Sequence, residues 1–164
     1  QEVSYSELSQ ALGIDRRTVV TYLDLLEQCF IIFRLGAFSR NLRKEVAKSV
    51  KIYFVDLGVR NSLIQNFAPI SVRNDIGALW ENFCVVERLK LLRHRQQFAN
   101  QYFWRTYDQQ EIDYLEEADG VIQGYEFKWN PGAKVKTPTG FLEGYPGSKV
   151  VRIDRSNYWQ FLLS

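Results

Sequence analysis

Three side chains at facing ends of two apolar runs carry the chemistry of this sequence: Asp113, Glu126 and Lys128. Asp113 stands in the alternating run Glu111-Ile112-Asp113-Tyr114-Leu115, and Glu126-Phe127-Lys128 closes the run that begins at Val121. Ala118, Asp119 and Gly120 supply turn residues between them, so Gln110 to Trp129 is predicted to form a β-hairpin. Side chains alternate along a strand, which puts Glu126 and Lys128 on one face with the Phe127 carbonyl between them. Metal-dependent phosphodiester hydrolysis needs hard oxygen ligands for Mg²⁺ or Mn²⁺, an activated water, and positive charge near the phosphate. Asp113 and Glu126 are the expected metal ligands, with the Phe127 carbonyl as a further one. Lys128 is expected to stabilise transition-state charge or orient the water. The competing reading is a solvated Glu and Lys pairing of the kind that strand surfaces often carry.

The elements that would position this hairpin can be read around it. Asp75 to His94 is predicted as the longest helix, capped by Asn74 or Asp75, with Ile76, Leu79, Phe83, Val86 and Leu89 on one stripe. At about 100° per residue, Glu81 shares another face with Val85, Arg88 and Leu92, neighbours that also look covered. Glu81 therefore either assists the metal site, holding a water or a second ion, or pairs with Arg88 at a partly wet rim. Gln101 to Arg105 reads as a strand, Pro138 to Gly144 as a brief helix, Lys149 to Ile153 as a strand, and Asn157 to Leu163 as a terminal turn or helix. The order is helix, three strands, helix, strand.

Before these elements, Ser4 or Ser6 can cap a short helix carrying Leu8, Ala11 and Leu12, which Gly13 ends. Asp15 can cap a second helix whose Val19, Tyr22, Leu23 and Leu26 form an apolar stripe, leaving Arg16, Arg17 and Thr21 outside. The apolar run Cys29 to Leu35 pairs naturally with Lys51 to Val55 across a loop containing Arg40, Arg43, Lys44 and Lys48. This is the pattern of a winged helix-turn-helix, with Arg16, Arg17, Arg40, Arg43, Lys44 and Lys48 as candidate nucleic-acid contacts. Against it, Asp15, Asp24 and Glu27 offset the arginines of the second helix, and such modules also serve as spacers or protein contacts. A short helix over Asn61 to Gln65 leads to a boundary near Pro69, giving a winged helix-turn-helix over 1–70 and a second domain over 71–164.

Bulk properties exclude some classes. The chain of 164 residues is 46% hydrophobic and 24% charged, a globular composition. A net charge of +2 leaves any nucleic-acid contact to local patches. Cys29 and Cys84 lie in apolar stretches, as buried thiols of a reducing compartment would, and neither has a partner for zinc. The single histidine, His94, sits in a basic cluster and is read as surface, which makes it a poor candidate base for a Ser or Cys nucleophile. No apolar run approaches the roughly 20 residues of a spanning helix, so a cytoplasmic protein without membrane contact is expected. The chain begins at Gln1 and lacks methionine, from which an excised fragment missing an N-terminal module is expected. Oligomerisation is left open.

Glu81 on a helix, Asp113 in a hairpin and Glu126-Phe127-Lys128 together resemble the PD-(D/E)XK nuclease superfamily. That resemblance implies a mixed sheet flanked by helices. It departs from the pattern in having Ile112, not Pro, before Asp113. The whole chain resembles a narrower group, the domain of unknown function C-terminal to AAA+-type ATPase modules in bacteria and archaea. The residues that carry this are Tyr5 to Gly13 with Arg17-Thr18-Val19, Lys51-Ile52-Tyr53-Phe54-Val55-Asp56-Leu57-Gly58, Gly77 to Glu87, Glu111-Ile112-Asp113 and Glu126-Phe127-Lys128. The resemblance implies an α/β (α+β mixed) fold, a winged helix followed by a nuclease-like domain, and an ATPase module upstream that would bind ATP. The chain itself has no phosphate-cradling Gly-x-x-x-x-Gly-Lys-Ser/Thr loop. Two functions are thus expected as alternatives: a DNA-binding, Mg²⁺-dependent deoxyribonuclease, or an inactive nuclease fold that binds DNA or a protein and regulates the ATPase.

Overall fold

A computed structural model describes residues 2–40, 49–135 and 138–163. The first elements follow their capping chemistry. Helix α1 (Tyr5–Leu12) starts at Ser4, whose hydroxyl accepts from the Glu7 N–H while the Glu7 carboxylate accepts from the Ser4 N–H. Gly13 ends it at a φ of 65°, where a side chain would be strained. Asp15 caps α2 (Arg16–Gln28) by accepting from the Arg17 N–H. Val19 and Leu23 of α2 pack with Ile32 in a small core that also takes in Ile52 and Phe54.

Strands β1 (Glu2–Val3), β2 (Ile32–Ala37) and β3 (Val50–Phe54) precede α3 (Leu57–Leu63), which starts at the Asp56 cap, earlier than the sequence suggested. The long helix α4 (Ile76–His94) follows. Asp75 precedes it without capping it, because its carboxylate is taken by Arg60 and Arg73. Then come β4 (Asn100–Arg105), β5 (Glu111–Ala118), β6 (Val121–Phe127), α5 (Thr139–Gly144), β7 (Lys149–Ile153) and α6 (Tyr158–Leu163). The turn between β5 and β6 places Asp119 and Gly120 at φ 51° and 77°, the left-handed pair that a tight hairpin demands.

The seven strands form one mixed sheet in the order β1-β3-β2-β4-β5-β6-β7. The fold is mixed α/β. The sheet runs without interruption past residue 70: β2 pairs in parallel with β4 through Gly36 with Tyr102 and Ala37 with Phe103. One sheet face packs Leu35, Tyr53, Phe103, Tyr114 and Phe127 against Trp80, Cys84, Val85 and Val86 of α4 and Phe161 of α6. The other packs Trp104, Ile112, Leu115 and Ile122 against Phe141 and Tyr145 at α5. Alternation in β3 divides its residues between these layers, with Ile52 and Phe54 towards α1 and α2 and with Lys51 and Tyr53 towards α4.

Several expectations are corrected here. Tyr22 and Leu26 do not complete the buried stripe of α2: they are exposed, as are Leu25 and Phe30. Cys29 is also exposed, since it caps the end of α2, whereas Cys84 is buried. Glu81 and Arg88 do not pair, because the Arg88 guanidinium is buried against Glu116 of β5, with Nε and Nη2 donating to the two carboxylate oxygens at 2.7 and 2.9 Å. Among the described residues no helix is long and apolar enough to cross a membrane.

Candidate functional site

Asp113 owes its position to a bulge. Tyr102 of β4 faces Leu115 and Trp104 faces Ile112, so Phe103 opposes two residues of β5, Asp113 and Tyr114. The bulge lets Ile112 and Leu115, three apart, enter the same core layer. On its other side β5 stops pairing with β6 at Tyr114 and Tyr125. The Phe127 N–H, left outside the ladder, donates to Asp113 Oδ2 at 2.8 Å. Asp113 is thereby held between two strands that have parted around it.

Two ammonium groups converge on it. Lys128 Nζ lies 3.8 Å from Asp113 Oδ2 and 3.1 Å from Glu126 Oε2. Lys51 Nζ lies 3.6 Å from Asp113 Oδ1, 2.9 Å from Glu81 Oε1 and 2.6 Å from Glu111 Oε1. The Tyr53 hydroxyl donates to Glu81 Oε1 at 2.7 Å. All four residues first singled out, Glu81, Asp113, Glu126 and Lys128, thus belong to one cluster joined through Asp113. Lys51, Tyr53 and Glu111 belong to it as well, and sequence reasoning missed their part. A signal was present: in Lys51-Ile52-Tyr53, a lysine shares its strand face with a tyrosine that needs a buried partner.

Among the described residues the charges do not balance. Glu81, Glu111, Asp113 and Glu126 face Lys51 and Lys128. Burial raises the Asp113 pKa, and Glu81 adds to the rise against the pull of Lys51 and Lys128. Glu126 is pushed up to about 7, first by burial and then by Asp113. Glu81 goes the other way: burial opposes its charge, but Lys51 and the Tyr53 hydroxyl hold its pKa below the usual value. Burial also opposes the charge of both lysines, yet the carboxylates outweigh it and both pKa values are raised.

Among the described residues no three His, Cys, Asp or Glu side chains draw together as a metal-binding group. Mg²⁺ is commonly held by one or two carboxylates, with waters and substrate oxygens completing the shell. Asp113 and Glu126, which share the Lys128 ammonium, are a donor pair of that kind. The surplus of negative charge suits a divalent cation. The peptide group that meets Asp113 does so through the Phe127 N–H.

The candidate nucleic-acid residues lie elsewhere. Arg16 and Arg17 are exposed at the start of α2. Arg40 is ion-paired with Glu117, and its N–H donates to the Tyr145 hydroxyl at 3.3 Å. Arg43, Lys44 and Lys48 lie outside the described residues.

Comparison with known proteins gives this arrangement a family. Residues 76–159, which contain Glu81, Asp113, Glu126 and Lys128, match the domain of unknown function DUF4143. The chain belongs to the DUF4143 family. Residues 1–69, which contain Lys51 and Tyr53, match a second domain of unknown function, DUF8612. This DUF4143 protein is similar to an uncharacterized protein of Mycobacterium tuberculosis and to one of Mycobacterium bovis. Each is 32% identical over 130 residues, 78% of this chain and 29% of the relative. No solved structure matches the chain.

Proposed function

We propose that this DUF4143 chain is a nuclease-like module of the PD-(D/E)XK type that hydrolyses DNA phosphodiesters with one divalent cation. The observation that carries the reading is the meeting of Asp113, Glu126 and Lys128 where β5 and β6 part, with Glu81 joined through Lys51. Asp113 and Glu126 would hold Mg²⁺ or Mn²⁺, with the Phe127 carbonyl as a further donor. The bound ion would supply Lewis acidity and an acidified water. Lys128, more than a third exposed, can turn its ammonium to the substrate phosphate while the buried carboxylates stay fixed. Glu81 acts at one remove, by fixing Lys51.

The relatives are much longer than the matched region, which is compatible with the expected AAA+-type ATPase module, the site of ATP binding, elsewhere in the full-length protein. In this reading residues 1–70 form a winged helix-turn-helix. Arg16, Arg17 and the loop bearing Arg40, Arg43, Lys44 and Lys48 would meet DNA phosphates.

The test is nicking of supercoiled DNA by the purified chain in Mg²⁺ or Mn²⁺. Nicking should vanish in chelator, in Asp113→Ala and in Lys128→Ala; equal activity in those variants sinks the assignment. A second reading, an inactive nuclease fold that docks on a protein, is favoured by one observation. The outer side of α2 exposes Tyr22, Leu25 and Leu26, where a groove-reading helix would carry polar groups.

A further inference from the structure

The alternation of β3 buries Lys51 between the sheet and α4, with its side chain only 4% exposed. An ammonium has three N–H donors and no acceptor. Here three carboxylates stand around it, Glu111, Glu81 and Asp113, at 2.6, 2.9 and 3.6 Å. Behind it lies the Phe103 ring, whose centroid is 5.4 Å away. Lys51 therefore cannot leave this position without unpacking β3 from α4, whereas Lys128 can turn outward. The three carboxylates come from α4 and from β5 on either side of Ile112, where the bulge begins, so a single internal cation ties together the elements that fix Asp113.

We propose that Lys51 is a resident counter-ion: its ammonium stands among Glu81, Glu111 and Asp113 and keeps them from closing on a metal ion, which limits the site to one divalent cation. This rests on the reading of Asp113 and Glu126 as the metal-holding pair. Lys51 is then a positioning residue, aligning Asp113 through Oδ1 while the Phe127 N–H aligns it through Oδ2. The site is also composite, because Lys51 lies in the DUF8612 match and the carboxylates in the DUF4143 match. A monovalent cation held on a side chain leaves the Lys51 side with no exchangeable ligand position. Chemistry is thereby confined to the Glu126 side of Asp113.

The experiment removes the proposed native metal position first, with Glu126→Gln, so that its outcome does not depend on whether the natural site binds metal or cleaves DNA. In that background the chain with Lys51 should bind no Mn²⁺ by calorimetry or electron paramagnetic resonance. Adding Lys51→Ala should create binding of about one equivalent of Mn²⁺. Mn²⁺ should then raise the Tm of the double variant by about 5 °C and leave that of the single variant unchanged. If Lys51→Ala does not fold in chelator, refolding in Mn²⁺ should recover it. Mn²⁺ binding at comparable strength with Lys51 present, or no binding and no recovery without it, overturns the proposal. Nicking assays on the parent chain separately test the nuclease reading.

Discussion

Helix α4 and strand β5 meet at two buried charge clusters, and the two are built on opposite principles. At Arg88 and Glu116 one guanidinium forks onto both oxygens of one carboxylate, and its remaining nitrogen Nη1 donates to the Phe161 carbonyl at 2.7 Å. Each charge there has its counterpart, and the pair straps α4, β5 and α6 together. About two helical turns away, at Glu81 and Asp113, four carboxylates share two ammonium groups, and the pKa values of Asp113 and Glu126 are raised, first by burial and then by the neighbouring carboxylates. Packing alone accounts for the first cluster. The second carries more carboxylates than ammonium groups among the described residues, and it is on this surplus, at a splayed pair of strands, that the proposed cation site rests.

The largest effect should come from breaking the balanced cluster. Arg88→Leu strands Glu116 in the core, and a loss of about 3 to 5 kcal/mol is expected in urea denaturation. Arg88→Leu with Glu116→Leu should recover most of it, since no buried charge is then left unpaired. A loss below about 1 kcal/mol for the single variant would mean that the pair is not the strap described.

The unbalanced cluster should respond in the opposite direction. Glu126→Gln removes a carboxylate that the fold disfavours, and should stabilise the chain by about 2 kcal/mol at pH 8. The sign follows from the raised pKa. As pH climbs from the ordinary 4.5 towards about 7, the unfolded chain releases this proton while the folded chain keeps it. Stability from this group is therefore full below 4.5 and lost as pH rises through about 7. Glu126→Gln should flatten that window in a pH series of urea midpoints. An unchanged slope would show that Lys128 already neutralises Glu126. A divalent cation should act in the same direction as this substitution. At tenfold excess over its dissociation constant it should add about 1.4 kcal/mol to the parent chain, and add little to Asp113→Asn.

The two clusters were unequally legible in the sequence. Glu81, Asp113, Glu126 and Lys128 stood out because carboxylates and a lysine recur at positions where a helix stripe or a strand alternation calls for covered residues. The boundaries of α4 and of the hairpin followed from the same periodicities. Lys51 and Glu116 escaped notice for one reason. Each is explained only by a partner in a distant element, and local pattern carries no record of which strands become neighbours. The pairing of β2 with β4 rests on four residues, Gly36, Ala37, Tyr102 and Phe103, with β3, α3 and all of α4 between the two pairs in the chain. Without that join Lys51 looks like one more basic residue beside a loop. The bulge was hidden too, since Asp113-Tyr114 reads as plain alternation until Ile112 and Leu115 are seen in the same core layer.

The smallest effect on stability is expected on the outer side of α2, and it bears on whether that helix or the Asp113 cluster meets nucleic acid. Tyr22 and Leu25 are 59% and 50% exposed, so Tyr22→Ser with Leu25→Ser should change stability by no more than about 0.5 kcal/mol in urea denaturation. Arg16→Ala with Arg17→Ala should be as mild for folding. The two pairs separate the readings by what else they change. If α2 lies against DNA, the arginine pair weakens binding, and the slope of log affinity against log salt falls by about 1 for each phosphate no longer neutralised. The apolar pair then has little effect on that slope. If α2 docks on a protein, the apolar pair abolishes the complex and the salt slope for DNA stays as it was. An arginine pair that leaves the slope unchanged would move any DNA contact away from α2, to the basic loop bearing Arg40 or to the side of the molecule where β5 and β6 part, next to the surplus of negative charge. Binding where β5 and β6 part would need the divalent cation, because bare carboxylates repel phosphate.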